Sequence, residues 1–133
     1  MKGNRLYKSE KLCSRTAINE VFISGSSVIS FPLRVVFREA NDGVAIPRFM
    51  ITVPKKKIRK AVGRVLLRRR IREAYRLNRS ILNEALPDRH NGVEMVFLYL
   101  DKEIADYKII EFKMQDLLRK ISARVATEQK IQE

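Results

Sequence analysis

Arg64, Arg68, Arg72 and Arg76 are spaced four residues apart, a period that stacks side chains along one side of an α-helix. At 100° per residue, Arg69 and Arg79 join them within an arc of about 140°. Like charges at this spacing repel and weaken an isolated helix by roughly 0.2–0.5 kcal/mol per pair, so the arrangement makes physical sense once an external anion lies across it. Guanidinium forks match phosphate oxygens two at a time, and the chemistry indicated is phosphate binding. A solvated charged face is the bland alternative. Such faces mix signs, however, and Glu73 is the only acid set against twelve basic side chains in residues 55–79.

That segment accounts for most of the formal net charge of +13, and a basic stripe of this kind is the footprint of a polyanion partner. Lys55, Lys56 and Lys57 sit directly ahead of it and read either as a second grip on a nucleic-acid backbone or as a solubilising loop. Covalent chemistry finds no counterpart in the sequence. The sole histidine, His90, lies between Arg89 and Asn91 without a partner, and the spacings of metal-binding, P-loop or serine-nucleophile motifs are missing. Asp101, Glu103, Asp106 and Glu111 are spread over a loop and a helix start, where Asp106 suits a cap. No catalytic residue, no protein metal site and no organic cofactor are expected. Cys13 is the only cysteine; it cannot form an internal disulfide and is expected to pack in the fold of a cytoplasmic protein. No apolar run approaches the length of a membrane span, and no signal sequence is read at the polar start.

The elements that must position these residues follow from periodicity. Ile18, Val21 and Phe22 recur at helical spacing before Gly25, predicting a first helix over 14–25. Residues 28–38 alternate, with Phe31, Leu33, Val35 and Phe37 on one face, and predict a strand for which Pro32 suggests an edge position or an irregular start. Residues 48–53 alternate as well and are expected to pair with it across the turn at 41–43; residues 44–46 add a short piece. Residues 60–78 predict the basic helix, whose Leu66, Leu67, Ile71, Ala74 and Leu77 form an apolar stripe while Arg70 snorkels from the apolar side. The near-continuous apolar run 93–100 predicts a strand buried on both faces, and Ile110, Met114, Leu117, Leu118, Ile121 and Val125 predict a last helix over 107–126. The expected order is α-β-β-α-β-α, a single α+β domain of 1–133 with flexible ends at 1–10 and 127–133.

Over residues 60–76 the sequence resembles the protein subunit of bacterial ribonuclease P, whose signature reads approximately A-V-x-R-N-R-x-K-R-x-x-R-E-A-[FY] after a strand ending in lysines. Ala61, Val62, Arg64, Arg69, Arg72, Glu73, Ala74 and Tyr75 match, and Arg68 stands for the lysine. Val53-Pro-Lys-Lys, Val21, Phe22, Gly25 and the element order extend the likeness over nearly the whole chain. Two positions depart from the signature: Val65 and Leu66 replace Asn and Arg, and Val65 falls within the basic arc.

The resemblance implies a small mixed sheet sandwiched with helices, like a ribosomal-protein domain, with a left-handed βαβ crossover. It implies a division of labour in which the RNA subunit holds Mg²⁺ and cleaves the 5′ leader from precursor tRNA. Lys60, Arg64, Arg68, Arg69, Arg72 and Arg76 are then expected to contact the catalytic RNA. Phe22, Arg34, Val36 and Thr52, with Lys55, Lys56 and Lys57, are expected to hold the single-stranded leader, although Ile18 stands where a second aromatic is common. A ribosomal or RNA-assembly protein without a processing role is the alternative. A DNA reader would need Asn or Gln on the exposed helix face, and a self-sufficient nuclease would need an active site that no residues here suggest.

Overall fold

The computed structural model describes residues 12, 15–39, 47–85 and 92–132, with side chains described through Val125 apart from residue 85. Cys13, His90, the turn at 41–43, the short piece at 44–46 and residues 86–88 lie outside the described residues, as does the segment 1–10. Helix α1 (Arg15–Ser24) stops at Gly25, whose amide donates to the Val21 carbonyl at 2.8 Å. A Cβ at Gly25 would fall 2.2 Å from that oxygen and 2.8 Å from the Phe37 carbonyl oxygen. Only glycine lets the chain leave the helix so close to the sheet.

The alternating stretch 28–38 is two strands, not the single strand expected. β1 (Ser26–Ser30) and β2 (Leu33–Glu39) form an antiparallel hairpin that reverses at Phe31 and Pro32. Proline offers no amide to a ladder, and the alternation resumes in phase beyond it, which hides the turn in the pattern. Phe31, expected to face inward with Leu33, is exposed at the reversal.

The expected pairing of the two N-terminal strand regions is also replaced. β3 (Arg48–Thr52) does not pair with β2. Instead β4 (Val93–Tyr99) lies between them, antiparallel to β2 and parallel to β3, in the order β1-β2-β4-β3. A strand apolar on both faces buries the most surface at the centre of a sheet, whereas β3, with Arg48, Met50 and Thr52 on one face, tolerates an edge. The parallel pair is connected through α2 (Ala61–Asn78) and α3 (Ser80–Ala85), the latter a helical turn that the periodicity of the sequence does not announce. Helix α4 (Tyr107–Gln132) closes the fold and continues beyond the expected end at Ala126. Among the described residues no helix is long and apolar enough to cross a membrane.

The sheet separates two cores. On the inner face Leu33, Val35, Phe37, Met95, Phe97 and Tyr99 pack against α2, α3 and α4, and on the outer face Val36 and Val96 pack against Val21 of α1 and Leu12. Tyr75 seats the basic helix: its ring centroid lies 4.4 Å from that of Phe49 and 5.7 Å from that of Phe97. Leu67, Ile71 and Ala74 are fully buried beside it. This docking turns the arginine-bearing side of α2 toward solvent.

Candidate nucleic-acid interface

Arg68, Arg69 and Arg72 are exposed, and among the described residues none of the three has a hydrogen bond or ion pair. With Ile51 and Val65 they line a surface hollow of about 340 Å³. Three cations therefore converge over an apolar floor at the edge of the sheet. The helix begins at Lys60, which makes no side-chain cap, and its first turn carries no acid, so the positive end of the helix adds to the same field.

The other positions of the basic arc are engaged within the protein. Arg64 donates from Nη1 to the carbonyls of Ile58 at 3.0 Å and Arg59 at 2.7 Å, closing the turn ahead of its own helix. Arg76 donates from Nε to Glu73 at 3.0 Å and pairs with it again through Nη2. That hydrogen bond is the main reason the Glu73 carboxyl is lowered; burial opposes it, and the charges of Arg76 and Arg72 add to the lowering. Arg79, expected to widen the basic side, is only 6% exposed. It is the C-cap residue of α2, where the 100° progression stops, and its carbonyl accepts the amides of Leu82 and Asn83 that start α3. Arg70 leaves the apolar side as expected and donates to the Ala105 carbonyl at 2.6 Å, tying α2 to the loop before α4.

Across the sheet, the outer face presents the second set. Arg34 and Leu98 are directly in register, as are Leu98 and Thr52, so Arg34 and Thr52 stand on one row, two strand spacings or roughly 10 Å apart. Arg34 is held by its Nε donating to Ser27 Oγ at 2.8 Å. Phe22 projects from α1 at 49% exposure, but Val36 is 4% exposed beneath α1 and belongs to the core there. Lys55 and Lys56 are exposed in a turn in which the amides of Lys57 and Ile58 donate to the Pro54 carbonyl.

The two sets meet at β3. Ile51 faces the arginines of α2, while Met50 packs with the outer core and Thr52 shares its face. The lysine turn continues from the same edge. The outer face also holds a network the sequence reading missed. Glu94, almost fully buried in β4, accepts from Arg38 at 2.9 Å and lies 3.7 Å from Arg48, and Arg38 reaches on to Glu20 of α1 at 2.6 Å. Its signal was a lone acid inside an apolar run, with arginines in the two strands that become its neighbours. Through Arg38 the network ties α1 to the sheet.

Chemically, this is a surface that can grip phosphates on one side of an edge strand and a single strand on the other. Among the described residues, no three His, Cys, Asp or Glu side chains come together as a metal site.

Known proteins agree on what kind of molecule carries this surface. The family model described as Ribonuclease P matches residues 6–122. The ribonuclease P protein component of Porphyromonas gingivalis is 39% identical over 121 residues, covering 90% of this chain and 88% of that one. The RNase P protein from Thermotoga maritima superposes with a TM-score of 0.67 at 28% identity, over 84% of this chain and 96% of that chain. That of Staphylococcus aureus, at 18% identity and a TM-score of 0.70, shares the fold over 86% of this chain and 96% of that chain. Matched by the family model from the N-terminal segment into α4, and by a relative well above 30% identity over nine-tenths of its length, the chain belongs to the ribonuclease P protein family.

Proposed function

We propose that this chain binds a ribonuclease P RNA through α2 and the 5′ leader of precursor tRNA through its outer sheet face, and so promotes 5′ maturation of tRNA in the cytoplasm. The observation that carries the reading is the trio Arg68, Arg69 and Arg72, exposed and, among the described residues, without a hydrogen bond or ion pair, on a helix whose opposite side is locked into the core. Cations so held lower the repulsion between two polyanions, the catalytic RNA and its substrate. Arg64 and Lys60 extend the contact at the helix start, and Arg76 joins it from the far end through whatever donors Glu73 leaves.

Phe22, Arg34 and Thr52 supply one aromatic face, one cation and one hydroxyl to an extended strand, with the lysine turn beside them; such a set suits unstacked nucleotides. A contact made only by a leader favours precursor over mature product. The Mg²⁺ that supports cleavage is assigned to the RNA, and the protein's part is to bind and align. Added to a matched ribonuclease P RNA at low Mg²⁺, the protein is expected to raise precursor cleavage well above the RNA alone. Absence of stimulation would contradict the proposal.

A further inference from the structure

The first turns of α2 carry a surface of a different character from the arginine stripe. Val62 is 81% exposed and Val65 48%, and with Ala61 and Leu66 they line a pocket of about 430 Å³ that Arg69 closes on one side. On the other side of Val62 and Leu66 lies a second pocket of about 540 Å³, bounded by Gly63 and Ile104. A Cβ at Gly63 would come within 2.8 Å of Ile58 Cγ2 and 3.2 Å of Ile104 Cδ1, so glycine lets those side chains settle against the helix as the wall of this pocket. Lys57, Arg59, Lys60 and Lys102 rim it, with Glu103 as its one acid.

An apolar floor inside a cationic rim selects its occupant. Phosphates and riboses of a duplex need donors, which valine and leucine lack. A second copy of this chain would bring its own net charge of +13 against the rim. An unstacked nucleobase offers an apolar face flanked by phosphates, and it matches both parts. The patch also runs directly into the proposed RNA-binding hollow, because Val65 and Arg69 line both.

We propose that Val62, Val65 and Leu66 receive an unstacked base of the bound ribonuclease P RNA while Lys60 and Arg69 hold the phosphates beside it. This rests on the RNA-binding reading above and identifies what Val65 and Leu66 do in place of Asn and Arg: they trade hydrogen bonds for apolar contact.

The test uses the full-length protein reconstituted with a matched ribonuclease P RNA. The Val62→Ser/Val65→Ser double variant should bind that RNA about fivefold more weakly, the loss expected for some 40 Å² of apolar contact. The salt dependence of binding should be unchanged, since every phosphate-binding cation is still in place. A photo-crosslinking side chain at position 62 should label an unpaired nucleotide. Unaltered affinity of the double variant, or labelling confined to paired nucleotides or to a second protein chain, would overturn the proposal. If Arg68→Gln and Arg72→Gln leave the salt dependence untouched, the RNA-binding reading itself fails; if they reduce it while the valine variant binds normally, only the base contact does.

Discussion

At the scale of single residues, the arginines of one helical stripe are not equivalent. Arg68 and Arg72 are exposed and make no hydrogen bond or ion pair among the described residues, Arg64 is committed to the carbonyls before its helix, and Arg76 is held by Glu73. Replacing Arg76 by Gln should therefore weaken RNA binding less than replacing Arg72, and titration of the two variants against the same RNA would check the order. Glu73 will not release Arg76 in the neutral range. Its carboxyl is lowered from an ordinary value of 4.5 by the hydrogen bond to Arg76, so the pair is fully formed above that value and is lost only as pH falls through the lowered one. The difference between Arg76→Gln and the parent protein should thus stay constant across neutral pH. Periodicity alone could place the arginines on one side, because one-sidedness is a property of the helix. It could not tell engaged from free, because Arg64 and Arg76 find their partners in a turn and a neighbouring acid whose geometry the spacing does not contain. Arg79 escaped for a related reason: the helix stops one residue before it.

At the scale of elements, the outer-face network of Glu20, Arg38, Glu94 and Arg48 ties α1 to the sheet. Removing the buried acid by Glu94→Ala leaves two arginines facing a low-dielectric site and should cost about 3 kcal/mol, read as a lowered midpoint of urea unfolding at constant m-value. Helices α1, α2 and α4 were legible because each has one apolar stripe. β4 was legible as a central strand because it is apolar on both faces. The hairpin was not, since Leu33, Val35 and Phe37 continue the alternation of the residues before Pro32 and the pattern carries no mark of the reversal. The separation of β2 from β3 was equally hidden: it depends on β4, some forty residues later in the chain, entering between them, which is a matter of competition for the centre of the sheet.

At the scale of the whole molecule, the proposed design is two grips on either side of an edge strand, with β3 presenting Ile51 toward the arginines and Thr52 toward the outer face. The grips should be separable. Phe22→Ala is expected to weaken holoenzyme binding of a leader-bearing precursor by about fivefold or more, the effect of removing one base-stacking platform. Binding of mature tRNA, and of the catalytic RNA to the protein, should not change; equal losses for precursor and mature tRNA would remove Phe22 from the leader contact. Of this layout, the basic helix and the lysine turn could be read from charge alone, and the outer face came from family resemblance. The burial of Val36 under α1 was beyond either, since its outward phase in β2 says nothing about what covers it.

The central claim is that the exposed arginines of α2 neutralise RNA phosphates. Its most direct measurement is the salt dependence of protein binding to a matched ribonuclease P RNA, for the parent and for the Arg68→Gln/Arg72→Gln double variant. The slope of log affinity against log salt should fall in magnitude by about 1.8, or 0.9 for each duplex phosphate that is no longer neutralised. A double variant with the parent's slope and affinity would contradict the account.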